Sequence, residues 1–337
     1  MNLATYNTSS RLELPAKQMI SALDCLRLAP AMHRRVLLTF VAIGVFCSPR
    51  FAQGQFTDPR TYANTPADLN QLELDYAYAN SNASIDTSLV ISGAHLDLNQ
   101  ATASYTRTFG VLNSLAWIKA SVPFASVSGH VSGTSLSRSV AGSADASLEI
   151  AALLMGGPAL SAAQFETYQP TTTVGVSLTV TGPSGEYDPN RVVNLGSDRW
   201  SFKPQIGISY PFGPGEKWVV DGYLYAYFFT DNTAYHGNEV LSQRPLPGLE
   251  AHISYNLTPD FWASLDTNYC FRGSTVVDGV GQNDAQRNLA VGAEASWALN
   301  SRNSIALVFA KAIVHENAPA YTGVSLKYFY SWGRGYK

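Results

Sequence analysis

The sequence predicts an all-β protein: a transmembrane, antiparallel, up-and-down β-barrel of about 12 strands. Three observations predict it. Segments of about 10 residues alternate apolar and polar side chains with a period of two, from Gln71 to Trp332. Turn-rich connections between them alternate short and long. A basic and then apolar N-terminal stretch reads as an export signal.

Composition supports one barrel rather than a helical membrane protein. Of the 337 residues, 14% are charged and 12% aromatic, yet the mean hydropathy is only -0.03. A helical bundle in lipid needs repeated apolar runs of roughly 20 residues; here the apolar residues are broken up by Ser, Thr, Asn and Gly. A net charge of -3 leaves no basic footprint, so no nucleic-acid partner is expected. Cys25 and Cys47 lie in or before the export segment, which leaves Cys270 alone in the mature region. One thiol builds neither a disulfide framework nor a multi-cysteine metal cage.

Met32-His33-Arg34-Arg35 followed by Val36 to Phe46 has the basic n-region and short h-region of a secretory signal. Residues 1-31 then read as an upstream extension, with the start at Met32. Ala52 suits the last removed position although Arg50 does not fit two before it, and Val45-Phe46-Cys47 is an alternative site. The expected division is 1-52 extension and signal, 53-70 periplasmic N-terminal segment, 71-332 outer-membrane barrel and 333-337 C-terminal tail. The expected location is the outer membrane of a Gram-negative bacterium. The expected partners are outer-membrane lipid, the barrel-assembly machinery and a small-molecule solute.

Each strand is justified by its faces. Leu72, Leu74, Tyr76 and Tyr78 oppose Glu73 and Asp75, so one side suits lipid and the other a wet lumen. Leu148, Ile150, Ala152 and Leu154 oppose Glu149, and Val174, Val176, Leu178 and Val180 oppose Gly175, Ser177 and Thr179. Phe202, Ile206, Ile208 and Tyr210 oppose Lys203 and Gln205; Leu249, Ile253 and Tyr255 oppose Glu250, His252 and Ser254. Leu289, Val291 and Trp297 oppose Glu294, and Val324, Leu326, Tyr328, Tyr330 and Trp332 oppose Lys327. Further segments lie near 95-109, 115-122, 218-229, 261-271 and 304-314. Lipid cannot satisfy backbone N–H and C=O groups, so such a sheet must close on itself. One irregularity stands out: Leu96 and Leu98 are out of phase with Ala101, Ala103 and Tyr105, and a β-bulge near Gln100 would restore the phase.

Connections 124-145, 183-199, 230-245 and 273-287 are long, whereas 110-114, 211-216, 257-260 and 300-303 are short. That is the external and periplasmic alternation of such barrels. The stretch 156-171 breaks it, being long on the periplasmic side, with 159-168 expected to form a short amphipathic helix.

The stretch Gly182-Pro183-Ser184-Gly185-Glu186-Tyr187-Asp188-Pro189-Asn190-Arg191, then Asn194-Leu195-Gly196, then Arg199-Trp200-Ser201-Phe202-Lys203-Pro204, closely resembles the outer-membrane family labelled as MetA-pathway of phenol degradation proteins. Gly157-Pro158-Ala159-Leu160 and Phe165 add to the resemblance, which covers Thr57 to Trp332. It implies an outer-membrane barrel associated with transport, beside aromatic-degradation pathways. The chain departs from the family at Asp198, where Asn usually precedes Arg-Trp, and in the tail beyond Trp332. Read physically, Pro183 and Gly185 make a tight exit from a strand, Asp188-Pro189-Asn190 is turn chemistry, and Arg191 and Arg199 can pair with Asp188 or Asp198. The loop either shapes the pore mouth or acts as a brace without a ligand role.

Parity assigns Glu73, Asp75, Glu149, Asp221, Glu250, Asp266 and Glu294 to the lumen, against Lys203, Arg272 and Lys327. A water-filled pore needs such polar lining, and the acidic excess suggests mild cation preference. Cross-lumen ion pairs that plug a narrow barrel are the competing reading. Tyr223, Tyr225 and Tyr227 share the parity of Asp221 and form either an aromatic track in the lumen or an interfacial girdle, the commoner use of tyrosine. His252 and Ser254, with Glu250 on the same face, have the spacing of barrel lipases, but their parity points inward, away from lipid. No cofactor or metal is expected, since His95, His130, His236 and His315 lack ligand spacing. No phosphate-cradling or nucleophile-elbow run occurs either.

The reading is therefore a non-enzymatic outer-membrane channel or transporter for small compounds. Hydrophobic or aromatic cargo is what the resemblance implies. A structural or surface-binding barrel without transport is the alternative, and a lipid-modifying hydrolase using His252 and Ser254 the third.

Overall fold

The computed structural model describes residues 57-83, 94-131, 137-191 and 194-335. The expected export segment and cleavage site lie outside these residues.

One antiparallel sheet closes on itself. Its strands are β1 (Leu69–Ala83), β2 (Ala94–Val111), β3 (Ser114–Val131), β4 (Ser137–Ser143), β5 (Ser147–Met155), β6 (Thr173–Thr181), β7 (Ser201–Phe212) and β8 (Trp218–Phe229). Two short strands follow, β9 (Asn232–Tyr235) and β10 (Glu239–Gln243), before β11 (Leu246–Thr258) and β12 (Phe261–Arg272) return to the wall. After β13 (Thr275–Val277) and β14 (Val280–Gly281), the wall is completed by β15 (Gln286–Ala298), β16 (Asn303–Glu316) and β17 (Ala320–Gly333). The first strand pairs with the last, from Leu69 opposite Gly333 to Asn82 opposite Ala320, so no edge is left for lipid to solvate. β4 and β5 share one position, both pairing with β3, so the wall is a closed 12-stranded barrel, as the alternation predicts.

Burial is inverted relative to a soluble protein. Leu74, Leu224 and Leu265 are exposed, whereas Glu73, Asp221, Glu250 and Asn268 are buried. Contiguous exposed apolar surface of this extent marks a face that meets lipid. Aromatic side chains ring both rims: Tyr105, Tyr210, Trp218, Trp297 and Trp332 at one end, Phe124, Trp200 and Phe228 at the other.

Three expectations are corrected. The β1–β2 and β2–β3 registers run unbroken past Gln100, so there is no bulge; Leu96 and Leu98 keep the inward parity of Gln100 and Thr102. The connection 124-145 is mostly strand, because β3 runs to Val131 and β4 pairs back along it. The helix expected over 159-168 shrinks to α1 (Ala162–Phe165), started by a capping box between Ser161 and Gln164.

The long connections stand at one end. β9, β10, β13 and β14 form a small sheet there, above the wall. At the other end the chain enters through residues 57-68, and this segment does not stay outside: from Asp68 back to Thr57 it runs into the cylinder.

Candidate functional site: a charged lumen between two apolar layers

The entering segment is held against β6, β7, β8 and β11. Tyr62 is fully buried. Its ring fits over Gly175 and Gly207, where an added Cβ would lie 2.3 and 2.2 Å from ring carbons. Tyr223 meets it edge-on with centroids 5.4 Å apart, and Trp117 lies at 5.9 Å. The Tyr62 hydroxyl donates to Ser177 Oγ (3.1 Å) and accepts from Gln205 Nε2 (3.2 Å), and its carbonyl accepts from Thr173 Oγ1 (2.6 Å). Arg60 donates from Nε to Ser254 Oγ (2.8 Å) and from Nη1 to Asn256 (2.8 Å), with its guanidinium 4.5 Å from the Trp262 ring. Asp58 pairs with Lys327, and the Thr57 amide donates to Glu250 Oε2 (2.5 Å).

Around this strap the wall supplies a band of matched charges. Lys119 contacts Glu73 (2.7 Å), Lys203 contacts Glu250 (3.7 Å), and Lys327 contacts Glu294 (3.6 Å) as well as Asp58. His252 Nδ1 lies 2.8 Å from Asp266, while its Nε2 lies 3.7 Å from Glu250. Glu149 accepts from Trp117 Nε1 (2.8 Å), and Asp221 from the Arg60 amide (3.2 Å). Such pairs hold charge inside a protein only when partners and hydrogen bonds compensate desolvation.

Between the strap, from Thr57 to Thr61, and the wall opposite it lies a cavity of about 660 Å³. It runs from rim residues Leu69 and Thr108 past Glu73, Lys119 and Lys327 to Tyr321. The wall opposite the strap is built from small inward residues, Gly292, Val308 and Ala310 among them, which leaves the space open.

Apolar layers flank the charged band. Toward the strap end, Tyr62, Leu115, Trp117, Ala151, Leu153 and Tyr223 cluster. Toward the loop end, Ala79, Leu96, Leu98, Ala125, Val127 and Ala144 enclose Leu195, which is fully buried. Leu195 comes from the 182-200 connection, which spans the mouth. The Asp145 carboxylate accepts from the Gly185 amide (2.9 Å), the Ser197 amide (2.9 Å) and Ser197 Oγ (2.6 Å). Gly185 and Gly196 meet backbone to backbone, 2.6 Å separating the Gly185 carbonyl oxygen from where a Cβ on Gly196 would stand. Asp188 accepts from the Asn190 amide (2.9 Å), Asn194 accepts from the Asp188 amide (2.9 Å), and Arg191 pairs with Asp188 (3.2 Å). Arg199 donates to Gln243 (2.6 Å) and lies 4.4 Å from the Phe229 ring, and Tyr187 donates to the Ala234 carbonyl (3.3 Å). Trp200 stands outside against Gly182, Phe202 faces outward, and Pro204 interrupts the ladder to β8 between Phe202 and Gln205.

Most residues assigned to the lumen by parity face it: Glu73, Asp75, Glu149, Lys203, Asp221, Glu250, His252, Asp266, Glu294 and Lys327. Arg272 does not join them. It ends β12 at the mouth with a positive φ of 71°, exposed, its guanidinium 5.8 Å from Phe271. Tyr223 and Tyr225 are buried inward, not in a girdle; Tyr225 is bonded to Asn268 and has the Lys203 amine 4.5 Å above its ring, and Tyr227 lies half-buried beyond it. Ser254 is fully buried beneath Arg60, and His252 is tied to Asp266, so neither side chain meets the lipid face. His95 and His130 stack 5.2 Å apart on the outside of β2 and β3. Sequence reasoning missed Lys119, Trp117 and the strap residues Asp58, Arg60 and Tyr62. Strand alternation could have placed the first two, because Leu115, Trp117 and Lys119 share inward parity.

A closed cylinder with a lipid-compatible exterior, aromatic rims and an ionic interior defines the outer-membrane β-barrel class. Within it, the chain belongs to the family described as "Putative MetA-pathway of phenol degradation", whose model matches residues 78–328. Among solved structures it is similar to the COG4313 outer membrane channel from Pseudomonas putida F1, with 20% identity and a TM-score of 0.71 over 82% of this chain and 100% of that one. A weaker likeness, at 8% identity and a TM-score of 0.49, is to the transport unit of the autotransporter AIDA-I from Escherichia coli, over 88% of this chain and 98% of that one. Among curated proteins none matches.

Proposed function

We propose that the protein is an outer-membrane channel that passes small molecules, hydrophobic or aromatic compounds among them, between the outside and the periplasm. The observation that carries the reading is the cavity of about 660 Å³ beside the strap, lined by charged groups and reaching from the strap-end rim to Tyr321. A buried polar atom that lines it, Asp75 Oδ1, has no protein partner among the described residues, which fits a lumen shared with water. The likeness to the Pseudomonas putida F1 channel supports the barrel, and the family description supports aromatic cargo. On this reading the chain is exported by the signal at its N-terminal end and inserted by the barrel-assembly machinery, with the strap end in the periplasm.

A second reading, a sealed barrel that only binds at the surface, is favoured by the two apolar layers across the lumen. Planar-bilayer recording of the refolded mature chain decides between them. Reproducible conductance steps and uptake of small phenols into proteoliposomes are expected of the channel; a preparation that is folded and silent in both sinks it.

A further inference from the structure

We infer that Asp75 is a binding station for the ammonium group of a small primary amine, whose apolar part lies in the cavity beside it. The station rests on the channel reading, to which it adds a solute class and a place. The first observation is a charge left over. Asp75 faces the cavity from β1 and is only 7% exposed, yet its Oδ1 has no partner among the described residues. Other cations of this lining are engaged elsewhere: Lys119 with Glu73, Lys203 with Glu250, and Arg60 with Ser254 and Asn256.

Lys327 completes the pattern. It stands directly opposite Asp75 in the β1–β17 register, where opposite charges ordinarily pair across the strands. Its amine turns instead to Asp58 of the strap and to Glu294. With the strap docked, two carboxylates share that amine and the charge of Asp75 stays uncompensated. A buried carboxylate is stabilised by a counter-charge as well as by donors to its oxygens. Water supplies only the donors, whereas a passing cation supplies both.

The cavity decides which cation. Among the described residues no group of three or more histidine, cysteine or carboxylate side chains converges to hold a metal ion. An ammonium group asks less: three acceptors for its three N–H donors. Asp75 offers one, and Ser104 of β2 and Ser325 of β17, on the strands either side, line the same cavity with hydroxyls. Ser104 gives its own proton to Ser121 (2.9 Å), which leaves its oxygen to accept. Val308, Ala310 and Gly292 also line the space, without charge or polar side-chain atoms, and suit a short apolar tail.

The test titrates n-butylammonium, with butan-1-ol as its uncharged counterpart, into the refolded mature chain by saturation-transfer NMR in deuterated detergent at low ionic strength. Wild type should bind the amine at least about tenfold more tightly than the alcohol, as a charge-assisted bond to a buried carboxylate implies. Asp75→Asn should remove that preference and Asp75→Glu should restore most of it. Glu149→Gln, an equal loss of charge elsewhere in the lumen, should cost only about twofold. Heat-modifiable gel mobility confirms folding, and Asp75→Ser replaces Asp75→Asn if that variant does not fold. Equal affinity for amine and alcohol overturns the station, and so does an equal loss in Asp75→Asn and Glu149→Gln, which would mean a diffuse field rather than a contact. Conductance of the same samples keeps the readings apart: a conducting barrel without Asp75-dependent binding overturns the station alone, and a sealed barrel that still binds the amine overturns the channel alone.

Discussion

Replacing Tyr62 with alanine should free the strap and widen the passage. The ring is fully buried between Gly175 and Gly207, with Tyr223 and Trp117 on its faces and two hydrogen bonds at its hydroxyl. Removing a buried aromatic side chain costs about 3–5 kcal/mol, which lowers the docked-to-free ratio of the strap by on the order of 10² to 10³. The remaining anchors, Arg60 to Ser254 and Asp58 to Lys327, are polar and compete with water. Gly207→Ala tests the same contact from the wall, because its new Cβ would fall 2.2 Å from the Tyr62 ring and must displace it. Both variants should show larger or longer conductance steps than wild type in planar bilayers. Both should also become susceptible to trypsin after Arg60, a bond covered in the docked strap. If Tyr62→Ala keeps wild-type conductance and Arg60 stays protected, the strap does not limit the passage and the argument fails.

Three other outcomes follow from the same geometry. Asp145→Ala removes the acceptor for three donors of the mouth loop and should loosen it by about 2–4 kcal/mol, since bonds to a charged group contribute about 1.5–3 kcal/mol each before solvent competes; trypsin cleavage after Arg199 reports it, and unchanged protection contradicts the brace. Burial, and then the neighbouring Asp145 charge, hold the Asp198 carboxyl above its ordinary value. A raised folded-state value means that stability is greatest in acid and declines as pH rises from the ordinary carboxylate value through the raised one. Asp198→Asn should abolish that decline and gain a few tenths of a kcal/mol near neutrality, read as loop proteolysis at pH 4 and pH 7, and it tolerates the positive φ of 50° there. In the lumen, carboxylates outnumber cations, so reversal potentials in a salt gradient should show cation preference. Asp75→Asn with Glu149→Gln should shrink it about twofold per charge, from about 0.5 kcal/mol at about 8 Å in water; a shift toward cations would contradict the assignment.

The wall was legible in the sequence because lipid outside and water inside impose period-two alternation on every strand, and this alternation placed Glu73, Asp221, Glu250, Glu294 and Lys327 inward. What alternation cannot show is a departure from the rule that outside is apolar. Leu96 and Leu98 looked out of phase only because an inward leucine was not expected; Leu195, more than 90 residues later in sequence, explains them. The strap is too short and turn-rich to carry a period, and its dock is written as absences, the missing side chains of Gly175 and Gly207 on otherwise polar inward faces. Arg272 had lumen parity, but parity lapses where β12 ends in a left-handed residue. The motif from Gly182 to Pro204 marked the mouth loop correctly, while its contacts with Asp145, Gln243 and Asn232 needed the folded chain.

The pairing of Asp58 with Lys327 joins residues 269 apart in sequence, one just before the first wall strand and one within the last. Neither a chain interrupted before its final strand nor one trimmed past Asp58 can form it. The same last strand that shuts the cylinder against β1 thus also anchors the strap inside it, so wall closure and strap docking depend on one another.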